Sequence, residues 1–494
     1  MLDLLQSMEV VLSVAALVLF VLYYLTKSRP NLPPGPPSWP IFGSALSLQK
    51  MGLNMIESIR EMRAKYGDVF RITRFGRHFI YVNGMENLRE IFIKRADAFS
   101  DRPSNYHTEY ILKGHGILAS SGTIWKEHRT FALTTLRGFG FGRRCLESQI
   151  MEEVSCLSDK IAALDGKPFD PNEYIHVSVS NVMCSIAFGK RYEHSDADFQ
   201  HMLTLVTKLL IVPRRPVLGM FPFLGKLPGD FFGAKELHAI EDEVKDFVGR
   251  IISEHKESFD GENIRDYIDA FLLEQTKHQN NEDSTFSEEQ LVCTLRDFFL
   301  AGSETTTTTL KWSWAFLVNH PEVQSKMREE IDDVIGSRPV SLADRDKMPF
   351  TDAVLTETLR AGNIAPFALP HTASYDVNWN GYLIPKGATI WPCLDSVMND
   401  DDMFTDPEHF KPERFLDSEG KRLGNEKSVI SFSLGRRVCL GESLARMEMF
   451  LFLVTIIQRF ELKPSPTHRI PSLHGVVGTA HAPRPYHICA IERT

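Results

Sequence analysis

The sequence has no Cys-x-x-Cys pair, no excess of basic residues and no long low-complexity linker. Its seven cysteines (145, 156, 184, 293, 393, 439 and 489) are odd in number and scattered. That argues against a disulfide framework or a structural zinc cluster and for a reducing compartment. A formal net charge of −9 offers no general attraction to nucleic acid, so no nucleic-acid partner is expected. Helices and strands do not alternate as βαβ units, which argues against a doubly wound sheet, and there is no internal repeat. Gly138-Phe-Gly-Phe-Gly142 lacks the spacing and the preceding strand of a dinucleotide loop, and no other stretch suits flavin or nicotinamide. A redox enzyme built this way must take its electrons from another protein.

Helical periodicity is what the chain has in abundance. The spacing predicts helices over 51–66, 124–136, 150–164, 177–188, 199–210, 234–255, 264–276, 288–318, 321–335, 351–360 and 442–460. Short strands are expected at 69–74, 78–82, 374–377, 382–384 and 389–391. The fold class is therefore mainly α (α+β), a large helical domain with a small β-rich portion.

Residues 10–25 are apolar apart from Ser13, and extended to Met8 the run reaches the short edge of the about 17–25 residues that cross a bilayer. Asp3 and Glu9 precede it where a secretory signal would carry positive charge, and Lys27 and Arg29 follow it. The positive-inside rule then puts the rest of the chain in the cytosol. The reading is an N-terminal transmembrane helix within 1–26, a Pro-rich linker at 27–40 and a catalytic domain over 41–494.

Residues 432–441, Phe-Ser-Leu-Gly-Arg-Arg-Val-Cys-Leu-Gly, isolate one cysteine in a glycine-punctuated loop before a strongly apolar helical segment. Glycines let a backbone pass close to a flat cofactor. Backbone N–H groups at a helix start stabilise a thiolate, which can then ligate a metal. Arg437 is placed to meet an anionic group on that cofactor's edge.

Residues 298–310 form a second distinctive stretch. Five threonines, Thr305 to Thr309, sit inside an apolar helical pattern after Gly302 and Glu304. Threonine hydroxyls bonding back to carbonyls, beside a glycine, predict a locally opened helix with room for a small molecule. An acid beside an alcohol can pass protons. From the residues alone, a Thr-rich strand or a solvated face is an equal alternative.

Glu357 and Arg360 are three apart on one helix face, and Arg414 follows later. Trp125 and Arg129 present an indole N–H and a guanidinium one turn apart, suited to a carboxylate.

These segments, in this order, resemble the haem-thiolate monooxygenases, the cytochromes P-450, and in style the vertebrate microsomal family 2 enzymes. Residues 432–441 match every fixed position of that family's haem loop, and 301–305 match its oxygen-activating helix. The resemblance implies haem b with the Cys439 thiolate as axial iron ligand, in a loop that includes Phe432 and Arg437. It implies Arg102, Trp125, Arg129 and His371 at the haem propionates. Thr305 and Glu304 would be catalytic and would deliver protons, and Glu357, Arg360 and Arg414 would form a buried structural pair that holds the loop. One atom of O2 would enter a lipophilic substrate (a fatty acid, steroid or xenobiotic) by hydroxylation or epoxidation. Electrons would come from NADPH through a flavoprotein reductase, with cytochrome b5 as a further partner.

Substrate contacts are expected from 106–116, 209–223, 298–301, 364–369 and 476–477, with 209–232 touching the membrane. Lys126, His128, Arg436 and Arg437 would form a basic patch for the reductase. The family's place is the endoplasmic reticulum membrane, cytosolic face. The intact Glu304-Thr305 pair argues against a reductase-independent isomerase or dehydratase, and the full motif set argues against a non-catalytic haem or sterol-binding membrane protein. Ala361-Gly362 departs from the family pattern, where a bulky residue before glycine is usual.

Overall fold

The computed structural model describes residues 12–18, 20–21, 31–39, 43–44, 55–140, 146–211, 218–219, 221–478 and 480–493. The expected anchor falls largely outside these residues. Its described positions, 12–18 and 20–21, are helical, and none of the described helices is long and apolar enough to cross a membrane. Positions 141–142 of the glycine-rich loop and 212–217 of the expected membrane-contact segment also lie outside the described residues.

The chain forms two compact units, with segments of each alternating along the sequence. The first unit comprises Met1–Pro103, Phe367–Ser396 and Leu434–Arg436. Helix α1 (Met55–Tyr66) packs on a hairpin of β1 (Val69–Arg74) and β2 (Arg77–Val82), turned at Phe75-Gly76, both with positive φ. Strands β3 (His371–Thr372), β4 (Val377–Trp379), β5 (Tyr382–Ile384) and β6 (Thr389–Pro392) follow. The main sheet runs β1-β2-β6-β3, with β2 and β6 parallel, and β4 pairs with β5 separately. Its core is Ile59, Met62, Phe70, Ile72, Tyr81 and Cys393, with the Phe70 and Tyr81 rings stacked at 5.2 Å.

The described part of the Pro-rich segment lies along this sheet. Arg71 N–H donates to Pro34 O at 2.8 Å, and a Cβ on Gly35 would come within 2.0 Å of Arg71 O, so only glycine fits that approach. The strand expected at 374–377 starts later, at Val377, because Ser374 is drawn out of the ladder. Its N–H bonds to Ala98 O (2.9 Å) and its hydroxyl to Asp101 (2.7 Å).

The second unit is mainly helical and comprises Ser104–Pro366, Val397–Ser433 and Arg437–Thr494. Its long helices are α2 (Gly122–Gly138), α3 (Glu147–Ala162), α4 (Pro171–Ala187), α5 (Ala197–Ile211), α6 (Ala234–Glu257), α7 (Tyr267–Lys277), α8 (Glu288–Asn319), α9 (Pro321–Val334), α10 (Pro349–Gly362) and α11 (Glu442–Arg459). Helix α8 is the axis and touches α4, α6, α9, α10 and α11. Its start is set by Ser287, whose hydroxyl accepts from Gln290 N–H. Strands β7 (Phe460–Pro464) and β10 (Ile488–Glu492) pair antiparallel, as do β8 (Val476–Val477) and β9 (His481–Ala482). Packing on several sides buries residues around the circumference of α8 rather than along one stripe.

Candidate haem-thiolate site

In the second unit, Cys439 N–H donates to Phe432 O at 2.9 Å, which ties the end of the loop back to its start. Ser433 sits at φ 64°, a left-handed conformation that a non-glycine residue adopts only under constraint. Two residues beyond Cys439, Gly441 ends the loop, α11 begins, and the position of a Gly441 Cβ has no atom within 4 Å. Burial pushes the Cys439 thiol up, and the Gly441 N–H opposes that. The Glu442 carboxylate pushes the thiol up further, while the Arg129 guanidinium and the Glu442 N–H pull it down. Although protein encloses it closely, Cys439 keeps exposed surface, and exposure is the property that governs whether a metal can reach the sulfur. Bringing up a cation would favour the thiolate further.

Helix α2 carries Trp125 and Arg129 on one face. Arg129 Nη2 donates to Val438 O at 2.6 Å, next to the cysteine. The Arg437 guanidinium stacks on Trp125 at 3.8 Å from the ring centroid and donates to Ile117 O (3.2 Å) and Ser120 O (2.6 Å). Arg446 covers Phe432 at 4.9 Å. Trp125 Nε1 is buried with no hydrogen-bond partner among the described residues. An orphaned indole N–H costs about 1–3 kcal/mol, so this donor fits an anionic group supplied by a ligand.

Arg102 and His371 belong to the first unit. Arg102 Nη1 donates to Leu369 O and Pro370 O, both at 2.9 Å. His371 is buried, its ring 4.6 Å from that of Phe92, with Nδ1 donating to Phe99 O at 2.5 Å. In the same unit a Cβ on Gly435 would come 2.0 Å from Phe92 O, and Arg436 pairs with Asp97 at 2.6 Å.

The threonine run departs from expectation. Helix α8 is continuous, without a local opening. Thr305, Thr307 and Thr309 do bond back to Ala301 O, Ser303 O and Thr305 O (2.7, 2.7 and 2.9 Å), but without breaking the ladder. Gly302 does not leave a groove either: a Cβ there would meet Met183 Cγ at 2.4 Å, so it serves the packing of α8 on α4. Ala301 and Thr305, one turn apart, are nevertheless exposed in the middle of a helix whose residues 306–310 are all buried. Glu304 faces elsewhere, accepting from Thr207 Oγ1 at 2.5 Å and lying 3.5 Å from His176 Nε2.

Glu357 and Arg360 form a fully buried bidentate pair (2.7 and 2.8 Å), completed by Arg414 at 3.2 Å and Lys411 N–H at 2.8 Å. Arg360 also donates to Met398 O, and Ser431 Oγ to Leu359 O, so α10 holds the segments leading to the loop. Gly362 packs against Trp312: a Cβ there would lie 3.1 Å from the indole ring, which leaves little space for a side chain.

The expected basic patch is corrected. His128 is wholly buried between Phe271 and Phe286, Nε2 meets Thr285 (3.0 Å), and burial pushes its imidazole down toward the neutral form. Arg437 is buried as well, which leaves Lys126 and Arg436 as the exposed cations of the four. Sequence reasoning also missed Glu448, a fully buried acid of α11 whose Oε1 has no partner among the described residues. An acid inside the run 447–454 was the available signal.

An exposed cysteine at a helix start, an orphaned indole N–H beside one stacked arginine, and an exposed Thr305 face fit a flat, anionic-edged, metal-bearing cofactor. The family model for cytochrome P450 matches residues 33–490. The chain belongs to the cytochrome P450 family. It is 36% identical to Cytochrome P450 2B19 of Mus musculus, covering 99% of this chain and 100% of that protein. It is 38% identical to Cytochrome P450 2J3 of Rattus norvegicus (98% and 96%) and 38% identical to Cytochrome P450 2C39 of Mus musculus (98% and 99%). As a P450 it is an oxidoreductase, a monooxygenase whose haem iron is ligated by a cysteine.

Proposed function

We propose that this P450 inserts one atom of O2 into a lipophilic small molecule at a haem ligated by Cys439, using electrons from NADPH that arrive through a flavoprotein reductase. The observation that carries the reading is the exposed Cys439 with its thiol at the Gly441 and Glu442 N–H groups. Haem, when bound, supplies oxygen binding and activation, with electron density pushed from the thiolate.

The chain's own residues position and protonate. Arg129 and the helix start oppose the burial that raises the Cys439 thiol, and a bound cation would tip the sulfur to the anion. Trp125, with Arg129 and Arg437, would hold the propionate edge, and the family motifs assign Arg102 and His371 the same role. Phe432, whose carbonyl accepts from the Cys439 N–H, packs under Arg446. Thr305 lies on the exposed face of α8, and the family motif assigns the acid to Glu304, which is turned toward Thr207 and His176.

Exposed apolar side chains support a membrane setting. Leu12, Leu17, Val18 and Phe20 are exposed in the described part of the anchor, and Phe223, Leu227 and Phe231 in the segment expected to touch the bilayer. The assignment is a 1–26 anchor, a 27–40 linker and a 41–494 catalytic domain on the cytosolic face of the endoplasmic reticulum, with cytochrome b5 as a second electron donor. Carbon-monoxide difference spectra together with NADPH consumption after adding reductase test this reading. A thiolate-type spectrum without reductase-supported product from any lipid class would overturn it.

A further inference from the structure

Glu304 is the acid of the acid–alcohol pair, and a proton donor used every turnover must be resupplied. Its surroundings contain a route. On α4, His176 and Asn172 lie one turn apart, and on α8, Glu304 and Lys311 lie two turns apart. Lys311 Nζ donates to Asn172 Oδ1 at 2.9 Å, and both residues are partly exposed. Deeper along the same seam, His176 is buried, with Nε2 3.5 Å from Glu304 Oε1 and without a hydrogen-bond partner among the described residues. Thr207 of α5 holds that same oxygen at 2.5 Å. Beyond Glu304 the seam closes where Met183 fills the space beside Gly302. The polar seam thus opens at the Lys311–Asn172 end and stops at the carboxylate.

We propose that His176 relays protons from the Lys311–Asn172 end of the α4/α8 seam to Glu304. This rests on the reading of Glu304 and Thr305 given above, and it makes His176 a positioning residue that acts through Glu304. In the step, the His176 Nε2–H bond breaks and its proton joins Glu304 Oε1, turning the carboxylate into an acid. Before that bond breaks, Nδ1 accepts a proton from a hydronium ion at the Asn172 end, leaving water; a flip of the ring afterwards restores the Nε2–H tautomer, and no electrons change hands. Closing 3.5 Å to a hydrogen bond takes about half an ångström of side-chain movement. The charged groups facing the imidazole are Glu304 and Lys311 on α8, with Asp170 at the start of α4 beside Lys311. Thr207 and Tyr486, whose hydroxyl donates to Lys311 O, are neutral. Burial pushes His176 down, Glu304 pulls it up and Lys311 pushes it down, which favours the neutral ring between transfers.

The test uses the haem-loaded full chain with reductase and a turned-over lipid, comparing wild type, His176→Phe, His176→Gln, Glu304→Gln and Thr305→Ala. Product per NADPH is measured across pH 6 to 8.5, and His176 is titrated by NMR of labelled histidine. Both His176 variants are expected to lose severalfold in product per NADPH and to flatten the pH profile, with haem content unchanged. Glu304→Gln is expected to do the same and to shift the His176 titration to lower pH. If His176→Phe folds poorly, His176→Gln carries the comparison. Wild-type coupling and pH profile in His176→Gln beside a defective Glu304→Gln overturns the relay alone. Wild-type coupling in both Glu304→Gln and Thr305→Ala overturns the acid–alcohol reading beneath it.

Discussion

Arg437 lies flat on Trp125, its guanidinium carbon 3.8 Å from the ring centroid, while two of its nitrogens hold Ile117 O and Ser120 O. One side chain therefore braces the indole whose N–H is left for a ligand and pins the 117–120 segment. Arg437→Ala is expected to lower stability by about 2–3 kcal/mol, from the lost cation–π contact and two stranded carbonyls. Arg437→Lys should recover little, because an ammonium lacks the planar fork. Thermal midpoints and the haem-to-protein ratio check both, and a wild-type ratio in Arg437→Ala would contradict the bracing role.

Cys439→Ser replaces a thiolate by a poorly ionised hydroxyl. The thiolate-type carbon-monoxide spectrum and monooxygenase turnover should both disappear, while the helical circular dichroism remains. A surviving thiolate spectrum would point to another of the cysteines as ligand.

Glu357 is wholly buried between Arg360 and Arg414. Glu357→Ala leaves two guanidinium groups without their counter-charge and should cost about 3–5 kcal/mol, well beyond the worth of a surface pair. Denaturant unfolding measures this, and a loss under about 1 kcal/mol would show that water reaches the site.

Gly302→Ala tests helix packing rather than oxygen chemistry. The new methyl would sit 2.4 Å from Met183 Cγ, which should cost about 1–3 kcal/mol. Met183→Ala in the same chain should return most of that loss, and simple additivity of the two changes would contradict the contact.

Glu448 carries the clearest pH dependence. Burial pushes its carboxyl from 4.5 up to about 8, with the Thr306 hydrogen bond opposing. The folded chain therefore keeps a proton that the unfolded chain releases above its ordinary carboxylate range. By linkage, this contribution is fully present below pH 4.5 and is lost as pH rises toward 8, at up to about 1.4 kcal/mol per pH unit. Glu448→Gln keeps the shape and removes the titration, so its thermal midpoint should fall less steeply between pH 5 and 8. An unchanged slope would mean that Glu448 ionises normally in the fold.

Several elements were legible in the sequence because a local rule governs them. The β1–β2 hairpin follows from alternation around Phe75-Gly76, and α6 and α8 follow from long helical periodicity. The strand expected at 374–377 was displaced by hydrogen bonds that Ser374 donates to Ala98 and Asp101, residues far away in sequence. The expected opening at 302–309 failed for a related reason. A helix packed on several sides keeps its ladder even through five threonines, since tertiary burial outweighs weak propensity. His128 looked like a surface cation because its neighbours in sequence are charged, yet it faces Phe271 and Phe286 across the fold.

By itself the sequence determined the family and the one cysteine in the haem loop, because a short run of glycines, arginines and a cysteine imposes its chemistry through local backbone geometry. It also determined the mainly helical class, since periodicity is a local property. Only the tertiary structure decided which way Glu304 faces, that Gly302 serves Met183, and that Trp125 keeps a buried N–H in reserve. Those are facts of burial and distance between helices that are remote in the chain, and no spacing along one helix encodes what a neighbouring helix will put opposite it.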